Sequence, residues 1–337
     1  MDVLTQSREK QQKVKEMELL FEIYQRQTLS IEQIRKLFYA NSKGYVYRKI
    51  AILKQKGWIK AEGRISYGKD QQSSPVILTK EGIQALVLKG YVQQPRQWNK
   101  NIPSNARRKM VLDFNEIFSE LRPYGYTIID SRTWKELGFI KRTHYCIGGL
   151  ITPDGDKYTV YMLEHNSYAQ TINRIKNEIS VITHGDHTGN YMMFHHSDEA
   201  KRQYIKHDNL RYERGLISFA MIDYPNIYDK MKLLQKGWLK NYIQRLGYKD
   251  IEKASDKSLY GEYLSQGTHI TSFIHYDVAK LNRLTKFYEV GYQYVNYKLL
   301  VICWRSMANA LRKKIERPGK IEVISISEED FSEEVKN

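Results

Sequence analysis

The chain of 337 residues carries 54 Lys+Arg against 38 Asp+Glu, a formal charge of +16, and at 41% hydrophobic residues it can build the cores of two domains. No stretch approaches the roughly 18 uncharged apolar residues of a membrane span, and the start MDVLTQSREKQQKVKE has no apolar leader core, so a cytoplasmic protein with no membrane partner is expected. Cys146 and Cys303 are far apart, show no CxxC spacing and each sit in an apolar stretch, which argues against a zinc site or a disulfide and for two small buried hydrophobes.

The positive charge is concentrated at one end. Residues 1–110 hold 22 Lys+Arg and 9 Asp+Glu, a net +13. A field of that kind raises the local concentration of polyanions.

Taken in chain order, Val14, Met17, Leu20, Phe21 and Tyr24 share one face of a helix over 7–27. Ser30 then opens a second helix, with Gln33 completing a capping box and Ile31, Ile34, Leu37 and Phe38 forming its apolar side. Asn41 and Ser42 break the pattern before a third helix that runs to Gly57, its left-handed terminator. Residues 58–61 and 75–78 read as the two strands of a hairpin, with turn residues between them. Thr79 caps a fourth helix that ends at Gly90. Val14, Leu20, Phe21, Ile34, Leu37, Val46, Ile50, Leu53, Trp58, Ile77 and Leu86 would close a core, so residues 1–95 are expected to fold alone.

On the third helix, at 100° per residue, Val46, Ile50 and Leu53 point inward. Gly44, Arg48, Ala51 and Gln55 lie opposite, flanked by Tyr45 and Tyr47, while Lys43, Lys49 and Lys54 border that face. Arginine pairs with guanine and glutamine with adenine in the major groove, small residues allow close approach, and lysines serve phosphates. Arg64 and Lys69 stand at the hairpin tip.

Three helices, a hairpin and a closing helix, with Leu78-Thr79-Lys80-Glu81-Gly82 after the hairpin, resemble the winged helix-turn-helix family over roughly residues 10–90. The resemblance implies binding of double-stranded DNA by Lys43, Gly44, Tyr45, Tyr47, Arg48, Lys49, Ala51, Gln55, Arg64 and Lys69.

Residues 91–110 contain two prolines and Arg107-Arg108-Lys109 and read as a linker. Beyond it, helical and extended patterns alternate. Strands are expected over 126–129, 145–151, 158–163, 191–194, 216–222 and 299–303, with helices over 111–121, 168–181, 198–207 and 278–288, so residues 111–325 form an α/β domain. The acidic end, 326–337, reads as a disordered tail.

Gly149-Leu150-Ile151, the turn at Pro153-Asp154-Gly155-Asp156, the strand ending at Glu164 and the helix with Arg174 and Lys176 resemble the replication-relaxation family of plasmids and integrative elements. That resemblance implies a winged helix followed by a domain similar to restriction endonucleases, where an Asp and a Glu-x-Lys hold Mg2+. Glu164 matches the acid, but Gly148 stands where the aspartate is expected and Asn166 where the lysine is. Asp154 and Asp156 are more simply a hairpin turn, and one carboxylate holds magnesium poorly. His184, Asp186, His187, His195 and His196 lack an accompanying thiolate or paired acid, and Tyr288, Tyr292, Tyr294 and Tyr297 lack the His-hydrophobe-His of relaxases.

The expectation is an α+β winged helix-turn-helix at 1–90, a linker at 91–110, and a non-catalytic, nuclease-like α/β domain at 111–325. The chain would bind DNA as a homodimer in the replication, maintenance or regulation of a mobile element, with no cofactor. Two alternatives stay open: a Mg2+-dependent nuclease or nickase using Glu164, and a ligand-sensing transcriptional regulator.

Overall fold

A computed structural model describes residues 3–39, 43–63, 65–66, 72–95, 105–137, 140–164, 169–183, 190–206, 219–223, 228–254, 261–275, 277–286 and 298–331. The chain is mixed α/β with several sheets and divides into two units, Met1–Pro123 and Tyr124–Asn337.

The first unit follows its local signals. Helix α1 (Val3–Arg26) leads to the two-residue strand β1 (Leu29–Ser30) and to α2 (Ile31–Phe38). The Ser30 hydroxyl accepts from the Gln33 amide while the Gln33 side chain accepts from the Ser30 amide, so the expected capping box is present. Helix α3 (Lys43–Gln55) stops at Gly57, whose φ of 70° is the left-handed conformation a helix terminator needs. Strands β2 (Ile59–Ala61) and β5 (Pro75–Leu78) form the hairpin, and β3 (Ile65–Ser66) pairs with β4 (Gln72–Ser73) farther along it. The unforeseen β1 adds to β5, giving a three-stranded antiparallel sheet. Thr79 caps α4 (Lys80–Leu88), and a Cβ at Gly82 would lie 2.1 Å from the Trp58 carbonyl oxygen, so only glycine lets α4 approach the hairpin. Leu20, Ile34, Val46, Ile50, Leu53 and Leu86 are buried together in this core.

Helix α5 (Asn105–Leu121) corrects the expected boundaries. It was to open the second domain at 111, behind a linker that ended at 110, yet it belongs to the first unit. Asn115 Nδ2 donates to the Thr28 carbonyl at 2.6 Å, and Gln33 Nε2 donates to the Leu112 carbonyl at 2.7 Å. Lys36 pairs with both Glu116 and Glu120, and the Arg26 guanidinium lies 3.5 Å from the Phe118 ring centroid. Arg108, placed by its sequence in the linker, pairs with Glu62 at the base of the hairpin, 3.0 Å away. Polar side chains of α2 that looked like surface residues are the seat of this helix.

The second unit contains two five-stranded sheets of one plan. In the first, β6 (Thr127–Asp130), β7 (Gly148–Ile151) and β8 (Lys157–Leu163) are antiparallel neighbours, and β9 (Asn190–His195) and β10 (Phe219–Asp223) continue parallel to β8. In the second, β11 (Glu252–Lys253), β12 (Tyr263–Ser265) and β13 (Thr268–Ser272) are antiparallel neighbours, and β14 (Lys298–Trp304) and β15 (Ile321–Ile326) continue parallel to β13. Helices α6 (Ser131–Glu136), α7 (Ala169–Thr183), α8 (Asp198–Lys206), α9 (Tyr228–Leu233) and α10 (Trp238–Arg245) precede β11. Helices α11 (Val278–Lys286) and α12 (Arg305–Ile315) fill the two parallel crossovers of the second sheet, as α7 and α8 do in the first.

Both sheets are covered by apolar side chains. Ile172, Ile175 and Ile179 of α7 pack with Tyr161, Leu163, Tyr191 and Met193 of the first sheet. A Cβ at Gly149 would fall 2.1 Å from the Trp134 ring, so the indole occupies the space of the missing side chain. In the second sheet, Leu300, Ile302 and Trp304 face α10, while Leu299, Val301 and Cys303 face α11 and α12. Helix α11 joins the sheets: Val278 and Ala279 enter the first core, Leu281 and Leu284 the second. Both cysteines are free and buried, as their apolar surroundings suggested. The tail at 326–337 was expected to be disordered, but Glu328–Phe331 is a turn of 3-10 helix whose Phe331 packs at 6.1 and 5.8 Å from the rings of Trp238 and Trp304. An aromatic anchor in an acidic run outweighs its charge.

Candidate nucleic-acid interface

Helix α3, KGYVYRKIAILKQ, contains no acidic residue. Val46, Ile50 and Leu53 are buried, which turns Gly44, Tyr47, Arg48, Ala51, Lys54 and Gln55 outward. Tyr47 is 61% exposed, an unusual setting for a large aromatic. Nothing lies within 4 Å of a Cβ built on Gly44, so no internal packing demands glycine there. Lys43 is the first residue of the helix.

Two of the expected contact residues are turned inward. Lys49 is 5% exposed and its ammonium donates to Glu16 of α1 at 2.7 Å. Tyr45 is half-buried, edge-on to Tyr39 at 5.2 Å, with the Lys49 ammonium 5.9 Å from its ring. Both are corrected from DNA contacts to supports of the helix. The signal was readable for Lys49, which falls three residues after Val46 and four before Leu53, inside the apolar arc. Its partner was not, because Glu16 lies 33 residues earlier.

Glu16 also accepts from Lys56 at 2.7 Å, and Lys56 lies 4.7 Å from the Trp58 ring. Burial alone would raise the Glu16 carboxyl; hydrogen bonds and charges from Lys49 and Lys56 outweigh it and hold the group below its ordinary 4.5. Burial pushes the neighbouring Tyr39 phenol up to about 12, with Tyr45 and Glu16 adding to the shift. One carboxylate thus joins α1 to the middle of α3 and to the turn that follows it. Arg64 and Lys69, expected at the hairpin tip, lie outside the described residues.

The second unit offers a less complete chemistry. Glu164 follows β8 and is half-buried, but Gly148 pairs with Val160, four residues before it, so Gly148 is not its neighbour across the hairpin. Asp154 accepts from the Gly237 amide at 2.6 Å, and the Asp156 carbonyl accepts from the Thr152 amide at 2.9 Å, with Gly155 left-handed at φ 90°. The Thr152–Asp156 bond and Gly155 are those of a hairpin turn, whereas the Asp154 carboxylate reaches the start of α10, 83 positions away. Glu178 takes the Tyr145 amide on both oxygens, at 2.8 and 2.7 Å, and Arg174 at 3.2 Å. In the second sheet, Glu262 accepts from Lys280, and Asp277 caps α11 through the Lys280 amide at 2.9 Å. Burial drives His275 down to about 4, with the Glu262 and Lys280 charges opposing one another. Among the described residues, no group of three or more His, Cys, Asp or Glu comes together to hold a metal ion.

His195 is buried in β9, and His196 donates its amide to the Leu163 carbonyl at 3.0 Å. Asn166, His184, Asp186, His187, Tyr288, Tyr292, Tyr294 and Tyr297 lie outside the described residues. No described helix is long and apolar enough to cross a membrane. No family model, curated protein or solved structure matches the chain, so its own surface chemistry must carry the functional reading.

Proposed function

We propose that the chain binds double-stranded DNA, with its first unit acting as a winged helix-turn-helix. Helix α3 enters the major groove and the β2–β5 hairpin, the wing, lies against the backbone. The observation that carries this reading is the outward face Gly44, Tyr47, Arg48, Ala51, Lys54 and Gln55, free of acids and lying beside a hairpin. Small residues at Gly44 and Ala51 admit the groove wall, Arg48 and Gln55 have the reach and the donor pattern for base edges, and Lys54 suits phosphate. In keeping with the resemblance to replication-relaxation proteins, binding serves replication, maintenance or regulation of a plasmid, prophage or integrative element. A homodimer would read two half-sites.

The second unit supports binding without cutting DNA. A hairpin followed by two parallel strands is compatible with an endonuclease-like ancestry, and the second sheet repeats it. The bond from the Gly237 amide to Asp154 and the helix cap made by Asp277 give those two carboxylates structural employment. The test is titration of the full chain with duplexes selected from a random pool. Sequence-selective binding that weakens steeply with salt is expected. Absence of duplex binding at about 50 mM salt, where phosphate contacts are least screened, overturns the proposal. Nicking of supercoiled DNA with Mg2+ or Mn2+, lost in Glu164→Ala, would shift it to a nuclease.

A further inference from the structure

The second unit has 31 Lys+Arg and 26 Asp+Glu, a net +5 with its acidic end included. All of that excess lies in residues 305–320, where Arg305, Arg312, Lys313, Lys314, Arg317 and Lys320 outnumber the single carboxylate of Glu316. Helix α12 occupies most of this stretch. Ala308, Leu311 and Ile315 seat it on the second sheet against Val301, Cys303 and Val323. The opposite face, Arg305, Ser306, Asn309, Ala310, Lys313 and Lys314, is exposed.

The cations on this helix are not interchangeable. Arg312 is engaged by its own fold: its Nη2 donates to the Val323 carbonyl at 3.2 Å, and Glu316 lies 3.9 Å from its Nε. Arg305, Lys313 and Lys314 hold no ion pair among the described residues. Lys313 and Lys314 sit at the helix end where a cation favours the helix itself, but Arg305 sits in the first turn, where a positive side chain opposes the macrodipole. No acid occupies that turn, and Trp304 provides no side-chain cap. An arginine at the unfavourable end, on a face of Ser, Asn and Ala with lysines beyond, is a surface matched to an external polyanion. Phe331, in the acidic end, packs in the core on the other side of the second sheet.

We infer that the outer face of α12 is a second, sequence-independent contact with the phosphodiester backbone of duplex DNA. The inference rests on the proposed DNA reading and adds phosphates to those engaged by the first unit. Because the two units are covalently joined, a few such contacts raise the affinity of the whole chain although they bind weakly alone.

The test is the full chain carrying Arg305→Gln, Lys313→Gln and Lys314→Gln together, titrated by fluorescence anisotropy against a selected duplex and a scrambled one over a salt series. Each phosphate contact contributes about 0.9 to the slope of log K against log salt, so the slope should fall by about two to three. Affinity for both duplexes should fall together by about 10- to 100-fold at low salt, with the ratio between them unchanged. Thermal melting should shift little, since the three side chains are exposed and the loss of two cations at the favourable end of α12 is offset by the removal of Arg305 from its first turn. An unchanged slope, in a chain where Arg48→Ala still loses discrimination, removes α12 from the interface and leaves the DNA reading intact. If the variant loses binding to phosphatidylserine vesicles but not to DNA, the partner is an anionic lipid surface and the inference is wrong. If the unaltered chain binds no duplex, the reading and the inference both fall.

Discussion

Helices α3 and α12 both present basic, acid-free outer faces with small residues at their centres, yet they are held in different ways. Helix α3 is fastened by a buried ion pair, Lys49 to Glu16, as well as by Val46, Ile50 and Leu53. Helix α12 rests on Ala308, Leu311 and Ile315, with Arg312 reaching a strand carbonyl. An apolar seat fixes which face of a helix is outward but tolerates small rotations, whereas a charge pair fixes direction. Base readout needs that directional precision and phosphate contact does not. Under the proposed reading, the difference suits α3 to discrimination and α12 to added affinity.

The largest expected effect concerns what α3 is built upon. A fragment of residues 1–95 lacks α5 and strips partners from Thr28, Gln33, Lys36 and Glu62. Three or more buried or half-buried polar links at about 1 kcal/mol each, together with the apolar cover of α5, account for most of the stability of so small a domain. Residues 1–123 should unfold cooperatively in urea, and residues 1–95 should show no sharp transition. Equal urea midpoints for the two fragments would make α5 an accessory.

Next is the ion pair itself. Glu16→Ala leaves the Lys49 ammonium buried without its partner and should destabilise the first unit by about 3–5 kcal/mol. A Glu16→Gln chain should lose less, because the amide oxygen still accepts one hydrogen bond. The carboxyl of Glu16 is held below its ordinary 4.5 in the folded state, so its contribution is present above 4.5 and is lost as pH falls through the lower folded value. Wild type should therefore lose more stability than Glu16→Gln on acidification below 4.5. Parallel pH–stability curves would mean that the pair stabilises nothing.

The same comparison marks how far the sequence could be read. The capping box at Ser30 and Gln33, the cap at Thr79 and the left-handed Gly57 are local, since each depends on residues within about four positions. The strands at Ile59–Ala61 and Pro75–Leu78 were legible for the same reason. Strand β1 was not, because two residues carry no periodicity and Leu29 pairs with Val76 across 47 positions. The amphipathic helix at the end of the first unit was readable as a helix, but no local rule says which core its apolar face will join. The first sheet was visible because β8, β9 and β10 are apolar runs; in the second, β11 and β12 are too short and polar to show a period of two. The outer face of α3 was correct in direction at Arg48, Ala51 and Gln55, and failed at Lys49, where the charge was read before the helical angle.

A smaller effect should separate the two helices directly. Arg48→Ala should cost about 1–3 kcal/mol on the selected duplex and much less on a scrambled one, relaxing preference at one base position. The α12 substitutions should show the reverse signature, equal losses on both duplexes. If Arg48→Ala also costs the same on both, Arg48 is a phosphate contact and the discriminating role passes to another residue of that face, with Gln55 the first to test.

The smallest effect tests the correction on α3 most closely. Lys49 and Lys54 are five residues apart and identical in charge, and both were expected to border the outward face of α3. Lys54 is exposed, while Lys49 is buried against Glu16. Lys54→Ala should lower the salt slope by about one, weaken selected and scrambled duplexes alike, and leave thermal stability where it was. Lys49→Ala should leave the salt slope of the folded fraction unchanged and should lower thermal stability, because Glu16 then retains only the partly exposed Lys56. Measuring both variants by salt-series anisotropy and thermal melting gives a two-by-two outcome in which each lysine moves one readout. A salt slope that falls by one in Lys49→Ala would show that the ammonium leaves Glu16 to meet phosphate when DNA binds. The ion pair would then be a resting contact of the free protein, and the directional hold on α3 would come from Val46, Ile50 and Leu53 alone.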